Sequence, residues 1–70
     1  MILRVLTTLD GINRSGPRQR LYKNDRVRGE RHSDEFWKLR FTRGGYNYVV
    51  YAIPADVEPV DGTPENQVIH

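Results

Sequence analysis

The alternation of apolar and polar positions is sharpest between Phe36 and Ile53, where two runs of aromatic and β-branched residues flank Arg43-Gly44-Gly45. This pattern predicts a β-hairpin. With Gly44-Gly45 as a two-residue turn, Arg43 opposes Tyr46, Phe41 opposes Tyr48, Leu39 opposes Val50 and Trp37 opposes Ala52. Opposed residues share a face, so Trp37, Leu39, Phe41, Tyr48 and Val50 form one apolar surface. The other face pairs Thr42 with Asn47, Arg40 with Val49 and Lys38 with Tyr51. A slip of one residue would bring charges to the core side, which fixes the register.

Ile2 to Leu9 is a second strand candidate, closed by Asp10-Gly11 and carrying apolar residues on both faces, as a strand flanked on both sides would. From Gly11 to Gln19 the hydrophobic period disappears into Asn, Ser, Gly, Pro and Arg, which predicts a mobile loop. Leu21 to Arg28 is a third candidate strand, with a polar loop expected from Gly29 to Glu35.

Pro54 ends the hairpin ladder by removing a backbone donor. Pro54 to Glu58 then reads as one tight helical turn, with a last short strand around Pro59-Val60. Thr63-Pro64-Glu65 can cap a further turn, but the stretch beyond Asp61 is polar, acidic and expected to fray. No repeat, low-complexity tract or amphipathic helix is visible. The expectation is an all-β domain over residues 1–60, a small bent barrel of five strands with one helical turn, followed by a flexible acidic tail over 61–70.

Seventy residues hold one core, and a chain this short has marginal stability unless a disulfide, a metal or a partner subunit adds to it. There is no cysteine, and the two histidines, His32 and His70, lie far apart with no cysteine beside them, so no structural zinc site is expected. A homodimer is therefore one route to added stability. Met1 to Leu9 is interrupted by Arg4 and two threonines and reads as neither signal peptide nor membrane span, which points to a cytoplasmic protein without membrane partners. Asn13-Arg14-Ser15 matches a glycosylation acceptor only by accident on that reading.

Charge changes the picture. Residues 1–54 carry all eleven Lys and Arg against five acids, whereas residues 55–70 carry four acids and no base. The body stands at +6 and the tail at −4. A basic body suits a polyanion partner, although a charge run can equally be a solvated face.

Asn24-Asp25-Arg26-Val27-Arg28-Gly29, Phe36-Trp37-Lys38-Leu39-Arg40-Phe41, Gly44-Gly45 and Ile53-Pro54-Ala55-Asp56-Val57-Glu58-Pro59-Val60 together resemble the punctuation of bacterial Src-homology-three-like and KOW-like barrels. The resemblance spans about forty residues and rests on spacing and residue type. Asn24 stands where such barrels usually place a glycine, and asparagine tolerates positive φ. A shorter stretch, Trp37 to Phe41 with Gly44-Gly45 and Tyr48 to Tyr51, is similar to the central hairpin of RelE-type ribosome-dependent RNase toxins. That family's helical hairpin has no room here, and its arginine beside the second strand's tyrosine falls on Val49.

No catalytic or metal-ligating constellation emerges, and no cofactor is implied. His32-Ser33-Asp34 has the side chains of a hydrolase triad, but consecutive loop residues do not make the relay that chemistry requires. Asp34 and Glu35 flank no cleft by themselves, and Gly44-Gly45 precedes a strand rather than a helix that would hold phosphate. The candidate binding residues are Arg14, Arg18, Arg20, Lys23, Arg26, Arg28 and Arg31, with Lys38, Arg40, Arg43 and Tyr51 on the hairpin. Arginine forms paired hydrogen bonds to phosphate and stacks on bases. Tyr46, Tyr51 and the edge of Trp37 can add stacking surface, while Trp37, Phe41 and Tyr48 are first of all core.

The leading expectation is a non-catalytic module that binds nucleic acid mainly through phosphates, with the acidic tail folding back over the basic face in the free protein. The alternative is a small regulator, or a phage-encoded inhibitor, that docks on a larger protein partner. RelE-type RNase activity ranks third.

Overall fold

Gly44 and Gly45 take φ values of 60° and 83°, the left-handed backbone that a two-residue hairpin turn needs and that glycine adopts without a Cβ penalty. The hairpin this turn closes, β5 (Trp37–Arg43) with β6 (Tyr46–Ala52), has the register that the alternation predicts, from Arg43 opposite Tyr46 to Trp37 opposite Ala52. Around it the computed structural model, which describes residues 1–70, arranges β1 (Ile2–Val5), β2 (Leu9–Asp10), β3 (Arg20–Leu21), β4 (Arg26–Arg31), β7 (Val57–Pro59) and β8 (Val68–Ile69). The protein is all-β. Its only helical segments are two turns of 3₁₀ helix, Pro54–Asp56 and Glu65–Gln67.

The main sheet runs β6-β5-β4-β1-β7 with every neighbour antiparallel, β8 pairs parallel with the start of β4, and β2 with β3 forms a separate small hairpin. One face of the sheet buries the core: Leu3 and Val5 of β1, Val27 of β4, Trp37, Leu39 and Phe41 of β5, Tyr48, Val50 and Ala52 of β6, and Val57 of β7. Leu21 closes it from β3. Each fully buried aliphatic side chain of this kind contributes about 1.5–3 kcal/mol. Phe41 and Tyr48, opposed in the register, stack at 5.1 Å between ring centroids, and the Tyr48 hydroxyl donates to the Pro17 carbonyl at 2.6 Å. The loop from Gly11 to Gln19 is thereby tied down. Ile12 exchanges both backbone hydrogen bonds with Val49, and the Asn13 side chain donates to the Asn47 carbonyl.

Several expectations need correction. Leu21 to Arg28 is not one strand: the chain turns at Tyr22–Asp25, where the Asp25 carboxylate accepts the Tyr22 amide and Asn24 takes φ 76°. That is the positive φ an asparagine tolerates. The loop expected from Gly29 to Glu35 begins only at His32, because β4 continues through Gly29, Glu30 and Arg31 opposite Leu39, Lys38 and Trp37. Its core-side positions there are a glycine and an arginine, which show no hydrophobic period. A Cβ on Gly29 would come within 2.7 Å of both Leu3 and Leu39, so the core occupies the space that a side chain would need. The long first strand also divides, into β1 and β2 around a bend at Leu6-Thr7. Eight short strands replace five.

The tail is the largest correction. The polar, acidic composition of residues 61–70 predicts fraying, yet Val68 and Ile69 pair with Arg26 and Val27, Val68 is buried, and the His70 carbonyl accepts the Thr42 amide. Through β8 and the His70 carbonyl just beyond it, backbone groups of both β4 and β5 find partners.

Candidate functional site

The outer face of the sheet is where polar chemistry collects. Alternation places Arg28 and Glu30 of β4, Lys38, Arg40 and Thr42 of β5, and Asn47, Val49 and Tyr51 of β6 on the face opposite the core. Their pairing gives rows across the strands. Arg28, Arg40 and Val49 form one row, and Glu30, Lys38 and Tyr51 form the next. The first row floors a shallow groove of about 600 Å³ with Met1 and His70 at its border.

The eleven sequence-predicted residues do not form one patch. Arg40 donates to Glu30 at 2.7 Å and Arg28 to Glu65, both on the outer face, while Arg20 is held by Asp10 at 2.9 Å in the β2–β3 hairpin. Arg43 has a structural post. It lies over the Phe41 ring at 5.2 Å and donates to the Arg20 carbonyl and the Gln19 side chain. Arg31 lies over Trp37 at 5.5 Å, at the far end of the core face. Arg14, Arg18, Lys23, Arg26 and Lys38 make no ion pair. Of these, Arg14 and Arg18 sit on the loop that packs near the Gly44-Gly45 end, Lys23 on the Tyr22–Asp25 turn, and Arg26 beside Val68. Lys38 alone stands in the middle of the sheet.

Tyr51, opposite Lys38, is 47% exposed and is the most accessible aromatic of the sheet face. The His32 ring lies against it, 5.2 Å between centroids and tilted by 58°. Phe36 follows in the alternation on the Lys38 side and is also exposed, as is Ile53. His32 and Phe36 were not among the predicted residues. Extending the hairpin register one step past Trp37–Ala52 would have placed Phe36 there; the His32 contact depends on the turn between β4 and β5 and has no sequence signal. Of the other stacking candidates, Trp37 is buried in the core, and Tyr46 lies on the core side against Gly16, at the opposite end from Tyr51.

The remaining sequence candidates have plain roles. The Ser33 hydroxyl accepts the Glu35 and Phe36 amides and holds the β4–β5 turn, so His32 and Ser33 serve different neighbours. No group of three or more His, Asp or Glu side chains is placed to hold a metal. No helix is long and apolar enough to cross a membrane.

Exposed ion pairs of this sort contribute only ~0–1 kcal/mol each. Glu30 and Glu65 therefore orient the Arg40 and Arg28 guanidinium groups without holding them against a stronger acceptor. No family model, curated protein or solved structure matches the chain.

Proposed function

We propose that this chain is a non-catalytic module that binds nucleic acid through the outer face of its sheet, with Lys38, Arg40 and Arg28 as the phosphate-facing cations. The observation that carries the reading is two adjoining rows of that face: Lys38, in no ion pair, between Glu30 and a half-exposed Tyr51, and beside it Arg28 and Arg40, which only surface carboxylates hold. Phosphate is a doubly accepting anion that arginine binds in paired fashion, and it competes well with a single exposed carboxylate. Arg14, Arg18 and Lys23, on the loops, add long-range attraction rather than a shared docking surface.

The resemblance to Src-homology-three-like barrels supports a binding module. In its favour are the strand order β6-β5-β4-β1-β7, the 3₁₀ turn before β7 and the long excursion holding β2 and β3. Such small barrels work through surfaces and loops rather than a deep cleft.

The test is a binding titration against oligonucleotides over a range of salt. The expected log–log slope is about −2 to −3, corresponding to about three phosphate contacts at roughly 0.7 each on a single strand and 0.9 on a duplex. Affinity that does not weaken with salt would overturn the reading.

A second reading, docking on a larger protein, is favoured by one observation. Ile12 and Ile53, at 60% and 46% exposure, flank the open edge of β6 at Tyr51, where an added strand can pair. A single stoichiometric protein partner that survives nuclease treatment would support it.

A further inference from the structure

A phosphate-binding face does not by itself distinguish duplex from single strand, since both present the same charged backbone. The aromatic end of this face does. The rings of Tyr51 and His32 meet at an angle of 58° with centroids 5.2 Å apart, an open notch with one wall that is the half-exposed phenol ring. A flat ring can lie on that wall with its edge toward the imidazole. In a duplex both faces of every internal base are covered by its neighbours, so an intact duplex has no free base face to offer the notch. An unstacked base does.

The cations stand where the backbone of such a strand would run. Lys38 is directly opposite Tyr51, and Arg40 is two residues further along the same strand, a step of about 7 Å. That step is comparable to one nucleotide of an extended single strand. Phe36, two residues before Lys38 in the chain, is also exposed and offers a second base a separate aromatic face. The carboxylate of the row, Glu30, points to Arg40 and not to the notch. Exposed aromatic faces beside cations are the chemistry of single-strand recognition without sequence preference.

We infer that the ligand of this face is single-stranded nucleic acid, with one base stacked on Tyr51 against His32 and the adjoining phosphates on Lys38 and Arg40. This rests on the proposed nucleic-acid function and narrows it to one class of ligand.

The test uses a short single-stranded oligonucleotide carrying 2-aminopurine and the duplex made from it, with the full chain and with Tyr51→Ala and Tyr51→Phe. Base stacking on tyrosine quenches the probe. The expected result is quenching by the wild-type chain, at least tenfold preference for the single strand at near-physiological salt, and about tenfold loss in Tyr51→Ala. Tyr51→Phe keeps both affinity and quenching. The salt slope stays unchanged in Tyr51→Ala, since no phosphate contact is removed. Because Tyr51 is half exposed, Tyr51→Phe should melt like the parent and Tyr51→Ala a few degrees lower, with both folded at the temperature of the assay. Equal affinity for both forms, with Tyr51→Ala binding as well as wild type, would overturn this inference and leave the phosphate-binding function standing. Binding to neither form at low salt would overturn both.

Discussion

Glu65, on the turn that leads into β8, holds the guanidinium of Arg28 in β4, thirty-seven residues earlier in the chain. This pair brings an acidic side chain of the tail onto the basic face, next to Arg40. A carboxylate there occupies the position that a ligand phosphate would take. Glu65→Gln should therefore raise affinity for an oligonucleotide by about two- to fivefold, since an exposed pair contributes up to ~1 kcal/mol. The gain should fade as salt rises, because screening weakens the intramolecular pair as well. Fluorescence anisotropy at two salt concentrations reads this directly, and an unchanged affinity at low salt would mean that Glu65 does not compete.

Deleting the tail is not a clean version of that experiment. Val68 is buried, β8 pairs with β4, and His70 takes a backbone amide of β5. Val68→Ala alone should cost about 1–2 kcal/mol through lost burial and the cavity left behind. In a domain of this size that lowers Tm by about 4–8 °C per kcal/mol, which thermal melting followed by circular dichroism would record. A melt identical to the parent would return the tail to the frayed state that its composition suggests.

Gly29 tests the packing of the middle of the sheet. An added methyl would meet Leu3 and Leu39 at 2.7 Å and the Lys38 carbonyl at 3.1 Å, and the last of these cannot rotate away. Gly29→Ala should destabilise the fold by about 1–3 kcal/mol, the usual cost of overpacking. Chemical denaturation would show it as a lower midpoint with an unchanged slope.

How far the chain discloses this arrangement depends on whether a signal is local. The β5–β6 register was legible residue by residue, because Gly44-Gly45 fixes the turn and Trp37 to Thr42 alternate apolar and polar without a break. The continuation of β4 was not, since its core-facing residues beyond Val27 are Gly29 and Arg31, the one excluded by space and the other placed over Trp37. Val68 and Ile69 are two apolar residues in a polar stretch, too few to show a period, and their parallel pairing with β4 spans about forty residues. In the candidate site the residue types were legible and their circumstances were not. Alternation places Lys38 opposite Tyr51, but the partners Glu65 of Arg28 and Asp10 of Arg20, and the contact of His32 with Tyr51, arise from tertiary structure.

Lys38 and Arg43 belong to the same strand and carry the same charge, yet they should fail in opposite ways. Lys38 makes no ion pair and stands half-buried on the outer face opposite Tyr51. Lys38→Ala should leave the melting temperature within about 2 °C of the parent, as surface substitutions do. It should nevertheless weaken oligonucleotide binding uniformly across sequences and reduce the salt slope by about 0.7, one phosphate contact on a single strand. Arg43 is turned to the core side, where its guanidinium covers the Phe41 ring and satisfies the Arg20 carbonyl. Arg43→Ala removes a cation–π contact and a hydrogen bond together, at a cost of about 1–2 kcal/mol, while the salt slope stays where it was. Measuring melting and salt-dependent binding on both variants separates a cation that meets the ligand from one that holds the fold. A salt slope lowered by Arg43→Ala and untouched by Lys38→Ala would move the phosphate path from the outer face of the sheet to the loops at the Gly44-Gly45 end.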